Sequence, residues 1–330
     1  MEEVKTELKL IKMSDIASQT VEWLWYPFIP YGKLTIVQGD PGDGKTTFVL
    51  NIAAKLSNGE SLDKDMKLTE PLNIIYQTAE DGLADTVKPR LEVAGANCER
   101  ILVIDEKEKT LSMVDERLEE ALKETKARML ILDPIQAYLG NGMDMNRANE
   151  AREMTKKLGV LAEKYQCAII LIGHMNKATS NKAVYRGIGS IDFFAVARSV
   201  LLIGRIEGEL NKRAVVQIKN NLAPFGHSKA FELSECGFQW LGDYEITAEE
   251  VLGGIPPKVN KLEQAKRLLR KLAETNTLMQ SNEIFEIAQK QQISKRTLEN
   301  AKKELGIRAK KKNQLWYWEL EKEERNNVKY

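Results

Sequence analysis

Between residue 34 and residue 172, short aliphatic and β-branched runs alternate with stretches in which apolar residues recur every three or four positions. Leu34-Thr35-Ile36-Val37 predicts a strand, and Phe48, Val49, Ile52, Ala53 and Leu56 share one face of a predicted helix over 46–56. Further strands are predicted at 72–76, 101–104, 129–132 and 168–172, with helices at 83–93, 113–125 and 148–165 between them. Strands that alternate with helices imply a parallel sheet covered on both faces, an α/β architecture. The pattern then changes, and the closely spaced runs 199–203, 215–218 and 229–233 predict an antiparallel extension of that sheet.

Gly253-Gly254-Ile255-Pro256-Pro257 punctuates the chain, so a domain over 1–252 and a linker over 253–260 are expected. Residues 261–330 then offer helices at 262–273, 281–289 and 294–305, with Ser281 and Ser294 where N-caps would stand. Two extended segments, 307–311 and 315–320, follow Gly306. Three helices and a hairpin are the order of a winged helix, a small α+β domain. Trp316, Tyr317 and Trp318 are expected to pack one face of that hairpin.

The chemistry concentrates in the octet Gly39-Asp40-Pro41-Gly42-Asp43-Gly44-Lys45-Thr46, followed by Thr47. It fits the phosphate-loop pattern and stands in the required strand-loop-helix context. Its glycines let successive N–H groups face one anion at the positive end of a helix dipole. Lys45 would meet the β- and γ-phosphates, and the Thr46 hydroxyl would ligate Mg²⁺, so ATP and Mg²⁺ are the expected ligands. Asp133, closing the apolar strand 129–132, is the second candidate for the magnesium. Glu80, just beyond strand 72–76, is the candidate for aligning water, with Asp81 as competitor or N-cap. His174, after strand 168–172, is either a γ-phosphate sensor or a structural histidine.

Net charge is +1 over 330 residues, but its distribution is uneven. Residues 261–330 hold 17 Lys/Arg and 10 Asp/Glu, a net of +7, leaving 32 minus 38, or −6, for the rest. That asymmetry points the basic segment toward a polyanion. Lys295, Arg296, Lys302 and Lys303 on the third helix, and Arg308, Lys310, Lys311 and Lys312 on the hairpin, are candidate DNA contacts. Docking against a protein is the alternative use of the same surface. Cys98, Cys167 and Cys236 have neither disulfide nor zinc spacing and are expected as core thiols in a reducing compartment. Neither a leader nor a membrane span is evident, which favours a soluble, cytoplasmic protein.

With the phosphate loop, Glu80, Asp133 and His174 in this order, residues 20–240 resemble the RecA-like hexameric ATPases, particularly the RepA-type and DnaB-type replicative helicases. Pro30-Tyr31-Gly32-Lys33-Leu34, Ala79-Glu80-Asp81 with Arg90, Asn146-Arg147-Ala148-Asn149-Glu150 and Gly189-Ser190-Ile191-Asp192 are similar to segments of that group. The resemblance implies a RecA-like P-loop core, a hexameric ring that hydrolyses ATP between subunits, DNA as substrate and replication proteins as partners. It implies a DNA-touching pore loop over 175–188 with Lys177, Lys182 and Arg186; a solvated loop is the alternative. Lys219 would approach a neighbour's site, but Asn221 stands where the family commonly has Arg. Arg198 is the replacement candidate, with Arg213 next, and residues 1–30 would be an entry arm. The leading expectation is a replicative helicase of a plasmid, phage or mobile element. The alternatives are an ATP-switched regulator or helicase loader, and a RadA-like recombination or repair ATPase, against which the lack of an amino-terminal Cys cluster speaks.

Overall fold

Residues 10–63, 70–139, 148–175, 191–235, 237–254, 261–275, 277–290, 293–312 and 314–320 are described by a computed structural model. They belong to two compact units, Met1–Pro257 and Lys258–Tyr330. The first unit opens with a small antiparallel hairpin, β1 (Trp23–Trp25) and β2 (Ile29–Pro30). Then come β3 (Leu34–Gly39), α1 (Lys45–Ser57), β4 (Ile74–Thr78), a π-helical turn (Leu83–Val87) running into α2 (Lys88–Val93), β5 (Ile101–Leu102), α3 (Glu116–Thr125) and β6 (Met129–Asp133). After α4 (Ala148–Tyr165), β7 (Ala168–His174) and α5 (Ile191–Val196), the chain enters β8 (Ser199–Ile206), β9 (Glu209–Asn220), β10 (Lys229–Ser234), β11 (Gly237–Asp243) and α6 (Ala248–Gly253).

Nine of these strands form one sheet in the order β11-β10-β9-β8-β3-β7-β6-β4-β5. From β5 to β8 every neighbouring pair is parallel, and from β8 to β11 every pair is antiparallel. The fold is α/β, a mainly parallel sheet with an antiparallel extension. One expectation needs correcting: 199–203 is not the first antiparallel strand. Thr35 pairs with Ser199 in parallel register, because α5 lies in the crossover from β7 and returns the chain to the same end of the sheet. The antiparallel run starts at β9.

Alternate residues of the central strands sort into two cores, as a sheet covered on both faces demands. Val37, Ile131, Ile170 and Leu201 pack with Phe48, Val49 and Ile52 of α1. Ile36, Leu130, Leu171 and Val200 pack on the other side with Leu118 and Leu122 of α3 and Leu158 and Ala162 of α4. The antiparallel strands add an aromatic layer: Phe48 stacks on Phe231 at 5.6 Å and meets Trp240 edge-on at 5.7 Å, and Trp25 of β1 meets Trp240 at 5.9 Å. The helix behind the phosphate loop is thus clamped by β1, β10 and β11. Strand β11 escaped the sequence pattern because it is a half-exposed edge strand with a glycine at its start and another before its end.

The second unit contains α7 (Lys261–Thr275), β12 (Leu278–Gln280), α8 (Ser281–Lys290), α9 (Lys295–Glu304), β13 (Arg308–Lys312) and β14 (Leu315–Glu319), with sheet order β12-β14-β13. Leu269, Ile284, Leu298, Ala301 and Trp318 form its core. The Ser294 hydroxyl caps α9 by accepting the Thr297 N–H at 3.2 Å. Ser281 instead is the first residue of α8 and is buried, since β12 runs directly into that helix. Two further departures concern side chains: Cys98 is exposed while Cys167 is buried, and Trp316 is 52% exposed whereas Trp318 is 2% exposed. Trp316 lies two pairs farther toward the hairpin tip than Trp318, where no core remains to cover it.

The clamp on α1 can be tested by substitution. Phe48→Ala is expected to destabilise the protein by about 3–5 kcal/mol, whereas Leu210→Ala, at an exposed position of β9, stays within about 0.5 kcal/mol. Denaturant melts of both variants measure this, and equal losses would remove Phe48 from the role of core anchor.

Candidate active site

The carboxyl ends of β3, β4, β6 and β7 lie side by side, the edge at which open parallel sheets bind ligands. Gly39 of β3 stands in register with His174 of β7, and Thr78 of β4 with Asp133 of β6. The sheet therefore delivers one polar residue per strand to the place where β3 turns into the phosphate loop.

The loop's shape is enforced from outside. Gly44 has φ +88, and a Cβ there would stand 2.6 Å from Leu233 Cδ1; a Cβ on Gly39 would stand 2.2 Å from the Ile203 carbonyl oxygen. The loop is thus seated against β8 and β10 so closely that both positions require glycine. Asp43 braces it from within, its Oδ2 accepting the Asp40 N–H at 3.0 Å.

Lys45 is buried, and its ammonium donates to the Gly39 and Asp40 carbonyls at 3.0 and 2.8 Å and to His174 Nδ1 at 3.3 Å. Burial lowers its pKa, and the carboxylates of Asp43, Asp133, Asp40 and Glu80 act in the opposite sense. The Thr46 hydroxyl donates to Asp133 Oδ2 at 2.7 Å, and the Tyr76 hydroxyl donates to the same oxygen at 3.1 Å. Burial raises the Asp133 pKa against the pull of those two hydrogen bonds. A buried, desolvated carboxylate joined to a hydroxyl is a hard-oxygen pair suited to Mg²⁺, which takes few protein ligands and completes its shell with phosphate and water. Among the described residues, no three His, Cys, Asp or Glu side chains form a protein-only metal cage. Thr46 and Asp133 fit a magnesium shared with a phosphate.

Glu80 is exposed and follows β4 by two residues, while the Ala79 N–H donates to the Asp133 carbonyl at 3.2 Å and ties this turn to β6. Asp81 is not an N-cap: its carboxylate takes the Arg90 guanidinium at 2.7 Å, and its N–H donates to Thr78 Oγ1. Arg90 therefore partners Asp81, and Glu80 is left exposed to solvent.

Arg198 and Lys219 lie elsewhere. The Arg198 N–H donates to the Leu34 carbonyl, and Lys219 pairs with Val200. Leu34 begins β3 and Gly39 ends it, so Arg198 is roughly 15 Å from the phosphate loop at ~3.3 Å per residue. Lys219 donates to the Phe194 and Ala195 carbonyls at 2.6 and 2.9 Å, tying down the end of α5, and burial lowers its pKa. Lys177, Lys182 and Arg186 lie outside the described residues. Lys295, Arg296, Lys302, Lys303 and Lys310 to Lys312 belong to the second unit.

The structure adds one residue the sequence did not single out. Arg205, near the end of β8, places Nε 3.4 Å from Asp43 Oδ1, and a Cβ on Gly42 would come 3.5 Å from its Nη2. Its cross-strand partner is the buried Arg213, whose Nη1 donates to the Leu210 and Lys212 carbonyls. Arg213 therefore stands on the phosphate-loop side of its own chain, away from Arg198. Nothing local in the sequence marks Arg205, because its position depends on the register between β3 and β8. Asp43 is buried with a raised pKa, burial being the main cause, so Arg205 offsets a negative charge in a loop shaped for anions.

A family model described as "AAA domain" matches residues 5–180. Among curated proteins, the DNA repair protein RadA of Halalkalibacterium halodurans is 25% identical over 232 residues, which is 68% of this chain and 44% of that protein. The DNA repair protein RadA of Bacillus subtilis is 24% identical over 231 residues, with the same shares. The chain thus spans less than half the length of these relatives. Among solved structures, a KaiC-like protein from Pyrococcus horikoshii superposes with a TM-score of 0.48 at 18% identity, over 64% of this chain and 90% of that one.

The Asp43–Arg205 pair generates a charge-rescue prediction. Arg205→Ala should weaken nucleotide binding about 2–5-fold, the scale of a partly exposed ion pair, and adding Asp43→Asn should restore it, as read by titration calorimetry. Because the native Asp43 pKa lies above the usual 3.8, the folded state holds its proton longer, so stability falls as pH rises through that window. Asp43→Asn should accordingly raise the melting temperature at neutral pH by an amount that shrinks as pH falls toward 4. A double variant no better than Arg205→Ala would show that the pair does not act through charge.

Proposed function

The chain belongs to the AAA domain family, and on that footing we propose that it is a magnesium-dependent ATPase acting on DNA, with each active site completed by a neighbouring copy. The observation that carries the proposal is the convergence of Lys45, Thr46, Asp133 and His174 on one sheet edge, with Arg198 and Lys219 at the opposite end of the same strands. In this reading the loop N–H groups and Lys45 hold the β- and γ-phosphates of ATP and offset the charge that grows in transfer. Thr46 and Asp133 would hold Mg²⁺, which supplies charge neutralisation between the phosphates. Glu80 aligns the attacking water and accepts its proton. His174, already touching Lys45, changes partners when a γ-phosphate draws the ammonium away, and β7 leads from it directly into the segment over 175–188 proposed to meet DNA.

Arg198 and Lys219 cannot serve the phosphates of their own chain from so far away. A head-to-tail assembly would bring that face of one copy to the loop edge of the next, and a closed ring follows if the rotation closes. A hexamer is the number the RecA-like resemblance suggests. The second unit, read as a winged helix, would bring α9 and the β13–β14 hairpin to DNA or to a replication partner. The helicase and the repair readings share all of this chemistry. That the curated relatives are DNA repair proteins favours a recombination or repair role over a replicative helicase.

Glu80→Gln is expected to lower kcat about 10²-fold or more with ATP binding retained, and Arg198→Ala to lower kcat far more than affinity. Mixing these two inactive variants should restore about a quarter of wild-type turnover, since that share of interfaces in a random head-to-tail assembly pairs an intact Glu80 with an intact Arg198. No recovery on mixing would sink the shared site. ATP hydrolysis stimulated by single-stranded DNA, with a forked duplex left wound, would decide for repair over helicase; hydrolysis indifferent to DNA would remove DNA from the proposal.

A further inference from the structure

The β13–β14 hairpin ends in a feature that core packing does not explain. Its register sets Ala309 opposite Trp318 and Lys311 opposite Trp316, so both indoles lie on one face, two residues apart. The inner one is enclosed: Trp318 meets Phe285 edge-on at 5.5 Å and lies under the Lys302 ammonium at 4.7 Å. The outer one, Trp316, is 52% exposed, and Leu315 beside it is 43% exposed. Every residue of β13 is exposed, and β13 is the edge of its sheet.

Lysines on an edge strand have a common purpose, which is to keep another chain from pairing with it. That purpose accounts for Lys310, Lys311 and Lys312. It gives no reason for an indole held in water opposite Lys311, where an apolar ring would be a liability. The surroundings select the partner. Between residues 295 and 312 there are eight Lys/Arg and two Glu, so an acidic polymer is attracted and a basic or neutral one is not. A polyanion that also offers flat aromatic faces is a nucleic acid. Base–indole stacking tolerates any base, but it needs a base whose face is uncovered, as in a single strand and not within an intact duplex.

We infer that the tip of the β13–β14 hairpin binds single-stranded nucleic acid, stacking an unpaired base on Trp316 while Lys311 and Lys312 meet the adjacent phosphates. The inference rests on the proposal that the chain acts on DNA, and it adds that the second unit takes unpaired strand where a helix in a groove would take duplex. Trp316 stands outside the core of its unit, so its removal tests binding without unfolding the protein.

The test uses the full chain and a single-stranded oligothymidylate. Trp316→Ala should weaken binding about tenfold, the order of one lost stacking contact, and Trp316→Phe should keep affinity within about threefold of wild type. Tryptophan fluorescence should be quenched by the oligonucleotide in the wild type, and that quench should be reduced in Trp316→Phe while binding persists. The Lys311→Ala/Lys312→Ala variant should lower the slope of log affinity against log salt by about 1.4, at ~0.7 per phosphate on a single strand. Wild-type affinity retained in Trp316→Ala would overturn the inference alone, leaving DNA binding by the rest of the chain in place. A wild type that binds no oligonucleotide would overturn both this inference and the DNA reading. Quenching by anionic phospholipid vesicles with none by the oligonucleotide would assign the surface to lipid and overturn it as well.

Discussion

The hydrogen bond from Thr46 to the buried carboxylate of Asp133 is the contact through which loop, helix and sheet are brought into one register. An ionised carboxylate inside a protein is costly unless hydrogen bonds or a cation compensate it. Here two hydroxyls, from Thr46 and Tyr76, share one oxygen, and the buried Lys45 contributes its field. The arrangement works only if α1, β4 and β6 hold their relative positions closely. Two hydrophobic cores, one on each face of the sheet, supply that rigidity, and the polar cluster depends on them.

The antiparallel half of the sheet has a larger part than its place at the margin suggests. It buries Phe48 between Phe231 and Trp240 and closes the space that a side chain on Gly44 would need, while the adjoining parallel strand β8 carries Arg205 to Asp43. The phosphate loop is consequently shaped by strands that follow it by about 160 to 195 residues. The same strands carry Lys219 at their far end, so one element links the loop of its own chain to the surface proposed to serve a neighbour.

The second unit shows a different balance. Its core is small and conventional, while its charge is concentrated on α9 and β13. Two tryptophans in one five-residue strand have opposite fates because the hairpin extends past the helices that cover it. Trp318 finds Phe285 and Lys302; Trp316 finds water and Lys311.

How much was legible in the sequence varied with the range of the interaction. The octet around Lys45, the strand ending in Asp133 and the order of α/β elements are local patterns, set by periodicity, glycine geometry and capping, so the chain alone determined that β3 leads through a phosphate loop into α1. Strand β11, the parallel direction of β8 and the first-turn place of Ser281 were not legible, because each depends on which neighbour the segment meets. The pairing of Asp81 with Arg90, the reach of Arg205 to Asp43 and the separation of Arg198 from the loop were decided only by the tertiary structure. They follow from strand register and strand direction, which fix distances between residues far apart in sequence and leave no periodic trace in the sequence around either partner. For the same reason the sequence could count the lysines and tryptophans of the hairpin, while only the folded unit decided that Trp318 is core and Trp316 is surface.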